Sequence, residues 1–350
     1  MDPISFLLVA GTIAFFCFAI YTANLDDLKG QPFAVTKYLL YALIFILFSF
    51  ALMLAQFWVI KGLNMTIPPD SGIDVSGINA EAALAASLLS VGVAIFTGLL
   101  VIRPASRRLI RFTVGSGSFN PDSTVHITAF VLCLTLICVN FGQFVLNGGI
   151  EGMATGVEQE TNFIGSTLFQ EVLWLLAAFL GIGLFLRRTP QAALERLGLR
   201  DLQTRNLISG FAAGIGMLIV VYAFGTIWAS LVSPEVFEQQ NAASSEIAAA
   251  VNSLPAALLV SLLVAVGEEI FFRGALQPIF GLGATSIFFT LLHLQYTLTP
   301  ASLLILAVAF ILGVVRQRYG TSAAIVAHFT YDFSQLALAV LTVGLIGGRF

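Results

Sequence analysis

Toward the C-terminal end of this 350-residue chain, three short stretches place groups capable of acid–base chemistry inside apolar runs. Residues 267–274 read GEEIFFRG and hold Glu268, Glu269 and Arg273; residues 289–293 read FTLLH, from Phe289 to His293; residues 328–332 read HFTYD, from His328 to Asp332. A carboxylate in a poorly hydrated cavity can serve as a general base, and a histidine facing it can share the same water. A second histidine can donate to a developing oxyanion, a task worth more where bulk water is excluded. This set of groups suits hydrolysis by activated water. No serine or cysteine is offered as a nucleophile by motif, because GxSxG does not occur.

Spacing separates the roles. Glu269 and Arg273 are i,i+4 with the acid first, the better order for a same-face helical ion pair. Glu268 is turned about 100° from Glu269, so it faces a different neighbour and Arg273 neutralises only the second carboxylate. His328 and Asp332 are also i,i+4 and share one helix face.

The elements that must hold these residues are membrane spans. Of the chain, 58% is hydrophobic and 10% charged, against about 25% charged in a soluble domain. With 16 basic and 19 acidic residues and no basic stripe or arm, no nucleic-acid partner is expected. The lipid bilayer is the expected surrounding. A hydrocarbon core of about 30 Å needs about 20 apolar residues in a helix. On that length the chain reads as an all-α polytopic integral membrane protein with about ten spans, near 4–23, 37–60, 80–102, 124–146, 165–186, 206–231, 249–272, 280–296, 301–316 and 321–346. The first apolar segment has no basic residue before it and reads as an uncleaved span.

Charge alternates along the loops. Lys29 and Lys37, then Arg103, Arg107, Arg108 and Arg111, then Arg187, Arg188, Arg196, Arg200 and Arg205, then Arg316 and Arg318 mark the expected cytoplasmic side. Asp70, Asp74, Glu81, Glu151, Glu158, Glu160, Glu235, Glu238 and Glu246 mark the other side, with Lys61 the one basic residue among them. Both termini are expected outside. The polar stretch 147–164 divides an N-terminal four-span region, 1–160, from a C-terminal six-span region, 161–350. With cytoplasmic boundaries near Gln277, Gly281 and Gly320, a rise of 1.5 Å per residue puts Glu268, His293 and His328 roughly 12–18 Å below that surface. They are expected to meet in one cavity open to the cytoplasm.

Together the three stretches resemble the signatures EExxxR, FxxxH and HxxxN or HxxxD of the CPBP family, the CAAX-protease and bacteriocin-processing membrane peptidases. The resemblance spans roughly residues 165–346 and leaves the first four spans outside it. It implies a metal-independent intramembrane glutamate endopeptidase with no cofactor, set in a prokaryotic plasma membrane and acting on a membrane-associated peptide or protein. A prenylated CAAX tail is the substrate of only some relatives, and nothing here selects it. By the resemblance, Glu268 and His293 activate the attacking water, His328 and Asp332 form the oxyanion hole, and Glu269, Arg273 and Phe289 support the site. Asp332 stands where eukaryotic and archaeal prenyl-protein peptidases carry Asn. Either it is protonated and donates through its O–H, or it is ionised and holds His328 as a charged donor; because the family tolerates both residues, the donor role is the expectation.

Other readings compete with the peptidase. Two histidines and two carboxylates can bind zinc or iron, but HExxH is absent and Arg273 beside the acids opposes a cation. A non-catalytic scaffold or bacteriocin-immunity factor of the same family is the alternative function, and a proton-coupled transporter the third, without the repeats that one would show. Cys17, Cys133 and Cys138 read as small core residues, His126 as interfacial, Glu171 as a snorkelling or cap residue, and the basic stretch with leucines 194, 197 and 199 as a solvated loop that sets topology, an interfacial helix with those leucines on its apolar side being the other reading. The sequence leaves the oligomeric state open.

Overall fold

The computed structural model describes residues 3–65, 77–114, 117–158, 160, 162–200, 202–293 and 300–346. Asp70 and Asp74, counted above toward an outward loop, and residues 294–296 of the expected eighth span lie outside these. The described chain is helical almost throughout: α1 (Pro3–Leu28), α2 (Thr36–Gly62), α3 (Ala80–Ile102), α4 (Pro104–Val114), α5 (Thr124–Leu146), α6 (Gly149–Glu158), α7 (Phe163–Gly181), α8 (Pro190–Leu197), α9 (Thr204–Leu231), α10 (Pro234–Ala250), α11 (Leu254–Glu268), a π-helical segment Glu269–Leu276, α12 (Gln277–Leu292), α13 (Ala301–Tyr319) and α14 (Thr321–Ile346). The protein is an all-α polytopic membrane protein.

It divides into two compact units, residues 1–149 with 179–190, and residues 150–178 with 191–350. In the first, alanines along α3 admit α2 closely enough for Ser87 Oγ to donate to the Ala51 carbonyl at 2.8 Å. The adjacent acids ending α1 satisfy the open amides of two other helices. Asp26 accepts from the Thr36 N–H at 2.9 Å and its hydroxyl at 2.8 Å; Asp27 accepts from the Thr124 N–H and the Ser123 hydroxyl, both at 2.6 Å. Residues 179–190 are held in this unit by Asn24, whose amide donates to the Leu180 carbonyl at 3.0 Å. Arg107, read above as a loop charge, is instead buried. It donates to the last carbonyls of α3, Leu100 at 2.6 Å and Val101 at 3.0 Å, and stacks over Phe33. Burial holds its guanidinium below the ordinary arginine value, with Asp122 opposing.

In the second unit, α9 and α14 touch backbone to backbone. A Cβ on Gly210 would stand 2.3 Å from the Ala323 carbonyl oxygen, and one on Gly214 would stand 2.6 Å from that of Ala327. Glycine at these two positions therefore sets the seating of the helix that carries His328. A buried cluster of Met217, Val308, Leu312, Val315, Ala327 and Tyr331 locks α9, α13 and α14 together. The expected solvated loop is corrected at Leu197, which ends the short helix α8 and is fully buried under Gly274. Its carbonyl accepts from the Thr321 hydroxyl at 2.6 Å, while Arg196 donates to the Gly274 carbonyl at 3.0 Å. A short helix thus clamps the ends of two others.

Among the described residues nine helices are long and apolar enough to cross a membrane, one fewer than the expected ten. The difference lies at 254–292, one continuous helical run that doubles back on itself. Gly281 has φ 79° and ψ 172°, a region open to glycine and closed to side chains bearing Cβ. Phe272 and Phe289 would be about 26 Å apart along a straight helix, yet their ring centroids are 5.0 Å apart. The chain therefore reverses at Gly281. The returning arm has 11 residues before His293, about 16 Å and half a bilayer core. No length rule for spanning helices anticipates such an arm.

Charge alternation still sets the expected topology of the helices before the hairpin. Reporters fused after residues 111, 160, 200 and 240 are expected inside, outside, inside and outside in turn. Two consecutive reporters on one side would overturn that order.

Candidate active site

The hairpin and α14 carry the site. Ser253 caps α11, its hydroxyl accepting from the Ala256 N–H, and an apolar run then carries the chain inward to Glu268. At Glu269 the α-helix gives way to a π-helical segment, a form that is rare, appears in short pieces and is frequent at functional sites. The two adjacent carboxylates therefore straddle a change of helical pitch. His293 sits at the C-cap of the returning arm, and its Nδ1 lies 2.8 Å from the Phe289 carbonyl. A carbonyl only accepts, so that nitrogen carries the proton.

Glu269 is wholly buried and ion-paired with Arg273 at 3.2 Å. The same carboxylate oxygen meets His328 Nδ1 at 3.0 Å, and the other ring nitrogen of His328 lies 3.3 Å from Asp332. His328 is thus held between two carboxylates. Glu268 faces elsewhere, with Oε1 4.0 Å from His293 Nε2. Phe289 fills the middle. The Arg273 guanidinium lies 4.4 Å from its centroid, the His293 ring is stacked at 4.3 Å, and the His328 ring meets it edge-on at 6.3 Å. Arg273 also donates to the Ala309 carbonyl at 3.2 Å, which ties α13 to the hairpin.

All seven residues singled out from the sequence therefore fall in one cluster: Glu268, Glu269, Arg273, Phe289, His293, His328 and Asp332. Two were missed. Gln277 is buried and donates to the Gly313 carbonyl at 2.9 Å. Glu171, expected to snorkel or cap, is only 2% exposed. A Cβ on Gly267 would stand 2.2 Å from its carboxylate, so Glu171 packs against the residue preceding Glu268. Its sequence signal was an acid within an apolar span; the segment gave no partner at helical spacing. As for a metal, the donors are two histidines and several carboxylates, but the Arg273 cation is paired with the carboxylate that also holds His328.

Residues 250–334, which include every residue of the three stretches, match the family model described as type II CAAX prenyl endopeptidase Rce1-like. A curated relative, the uncharacterized protein YpbD of Bacillus subtilis (strain 168), is 34% identical over 83 residues, 23% of this chain. The alignment covers 44% of that relative's length. No solved structure matches the chain significantly. The geometry above and the matched segment coincide: residues 250–334 are similar to the Rce1-like type II CAAX prenyl endopeptidase domain, a protease-type family, within a helical membrane protein.

Proposed function

We propose that the protein is an intramembrane endopeptidase that hydrolyses a peptide bond of a membrane-associated protein or peptide, with Glu268 and His293 activating the water. The supporting observation is the 4.0 Å separation between Glu268 Oε1 and His293 Nε2. Two acceptors that far apart are bridged by one water with a hydrogen bond of roughly 2.8 Å to each. Because His293 Nδ1 carries its proton, Nε2 of the neutral ring accepts. The water then donates one proton to each group and turns its lone pairs toward a scissile carbonyl. As oxygen bonds to carbon, Glu268 takes the proton, which passes to the leaving nitrogen when the C–N bond breaks.

His328 stabilises the oxyanion in this scheme through the charge of its imidazolium, because both of its ring nitrogens already meet carboxylates. Glu269 at Nδ1 fixes that nitrogen as a donor, so Nε2 also donates only from the imidazolium. The geometry therefore favours an ionised Asp332 holding a charged His328 over the donor role suggested by family tolerance. Loss of one charge-assisted hydrogen bond costs about 1.5–3 kcal/mol, so Asp332→Asn is expected to lower kcat about ten- to a hundredfold. Activity within about threefold of wild type would return Asp332 to the donor role. The cytoplasmic opening of the cavity stays part of the proposal, supported by the arginines at the ends of α8 and α13.

The function is tested by comparing the membrane proteomes of cells carrying wild type or Glu268→Gln. A peptide cut only by wild type is the expected result. Stoichiometric zinc or iron in active protein, lost together with activity on chelation, would favour a metallopeptidase. Identical proteomes would favour the scaffold.

A further inference from the structure

Among the described residues of this unit, the mechanism above leaves one buried ionisable side chain without a task. Glu171 comes from α7, which lies outside the matched segment 250–334. Its Oε1 accepts from the neighbouring Gln170 at 3.5 Å, while Oε2 is buried with no hydrogen-bond partner. Glu268 Oε2, the oxygen turned away from His293, is likewise buried without one. Glu171 lies against the backbone one residue before Glu268, at a glycine where a Cβ would overlap its carboxylate. Glu268, His328 and Asp332 are all close enough for their charges to act on it.

In the proposed cycle the charges around Glu171 pair off. Arg273 balances Glu269, and the imidazolium of His328 balances Asp332. His293 is neutral in the proposed cycle, so Glu268 keeps the single negative charge that a base needs. A second ionised carboxylate beside it, buried and unpaired, is strongly disfavoured. A neutral carboxyl there does the opposite, because its O–H is a donor in a place that otherwise supplies none to the spare oxygen of Glu268.

We propose that Glu171 is a positioning residue of the peptidase site: a neutral carboxyl whose O–H is shared with Oε2 of Glu268, directly or through one water, fixing the base so that Oε1 faces the attacking water. This rests on the proposed function. Glu171 keeps its proton throughout, and the proton taken from water travels only through Glu268. The arrangement requires glycine at 267, which makes Gly267 part of the same device.

The test uses the full chain in lipid nanodiscs and needs no substrate. Infrared spectra at neutral pH are expected to show a C=O band of a protonated carboxyl that shifts in D2O and on 13C-carboxyl labelling of glutamate. It should vanish in Glu171→Gln and move in frequency in Glu268→Gln, where the acceptor changes from carboxylate to amide. A band that survives Glu171→Gln, or is unmoved by Glu268→Gln, overturns the shared proton. On a substrate found by the proteome comparison, Glu171→Gln keeps an N–H donor and is expected within about tenfold of wild type. Glu171→Leu should lose about a hundredfold in kcat with KM little changed. Equal activities for these two variants in folded protein overturn the donor role. If Glu268→Gln itself cleaves normally, Glu268 is not the base, while the infrared bands still decide the carboxyl pair.

Discussion

Glu268→Gln is expected to abolish peptide hydrolysis while leaving folded protein in the membrane. Glutamine keeps the shape of the side chain and an oxygen that accepts from the bridging water. It cannot take the proton that must leave as the oxygen attacks carbon. General-base catalysis is worth about 10²–10⁴ in rate, and His293 Nε2, 4.0 Å from Glu268, holds the same water without replacing that base. The loss is expected in kcat, with KM changed far less, because the substrate does not depend on the charge of Glu268 for its grip. Stability should hardly fall, since the substitution removes a buried charge that has no cation as a direct partner. Measured kcat within tenfold of wild type, on the substrate identified by proteomics, would exclude Glu268 as the base.

Glu269→Gln should fail in the opposite way, through the fold. The carboxylate of Glu269 is the ion-pair partner of Arg273 at 3.2 Å and of His328 at 3.0 Å, with neither the acid nor the guanidinium reaching solvent. Removing one member of a buried pair strands the other and costs about 3–5 kcal/mol, a large share of a typical folding free energy. Low membrane yield and a lowered Tm are expected for Glu269→Gln, and Tm near wild type for Glu268→Gln. The double variant Glu269→Gln with Arg273→Met should recover much of the lost stability, because it removes the stranded cation and leaves an apolar chain against Phe289 and Phe272. If Glu269→Gln melts like wild type, the ion pair does not support the site.

The chemistry of the candidate site was legible because ionisable side chains are rare in apolar helices. Glu268, Glu269, Arg273, His293, His328 and Asp332 stood out against their surroundings, and i,i+4 spacing alone paired Glu269 with Arg273 and His328 with Asp332. A rise of about 1.5 Å per residue brought Glu268, His293 and His328 to one expected level, and in the structure the three gather around Phe289. Composition likewise determined the all-helical membrane class: a chain this apolar must satisfy its backbone polar groups internally.

Contacts between helices were decided by the tertiary structure. Length alone called for a separate eighth span; the reversal at Gly281 instead makes a half-length arm ending at His293, because local backbone geometry overrides a count of apolar residues. The π-helical pitch at Glu269, which brings Arg273 over the Phe289 ring, has no signature in spacing. Arg107 and Leu197 read as surface residues by type, but each found buried partners far enough along the chain, or across enough of a turn, to escape any periodic pattern. Glu269 joins His328 across 59 residues, and Glu171 reaches Gly267 from a helix nearly a hundred residues earlier. Periodicity reports which side of one helix a residue occupies; only the packed bundle determines which other helix is there to meet it.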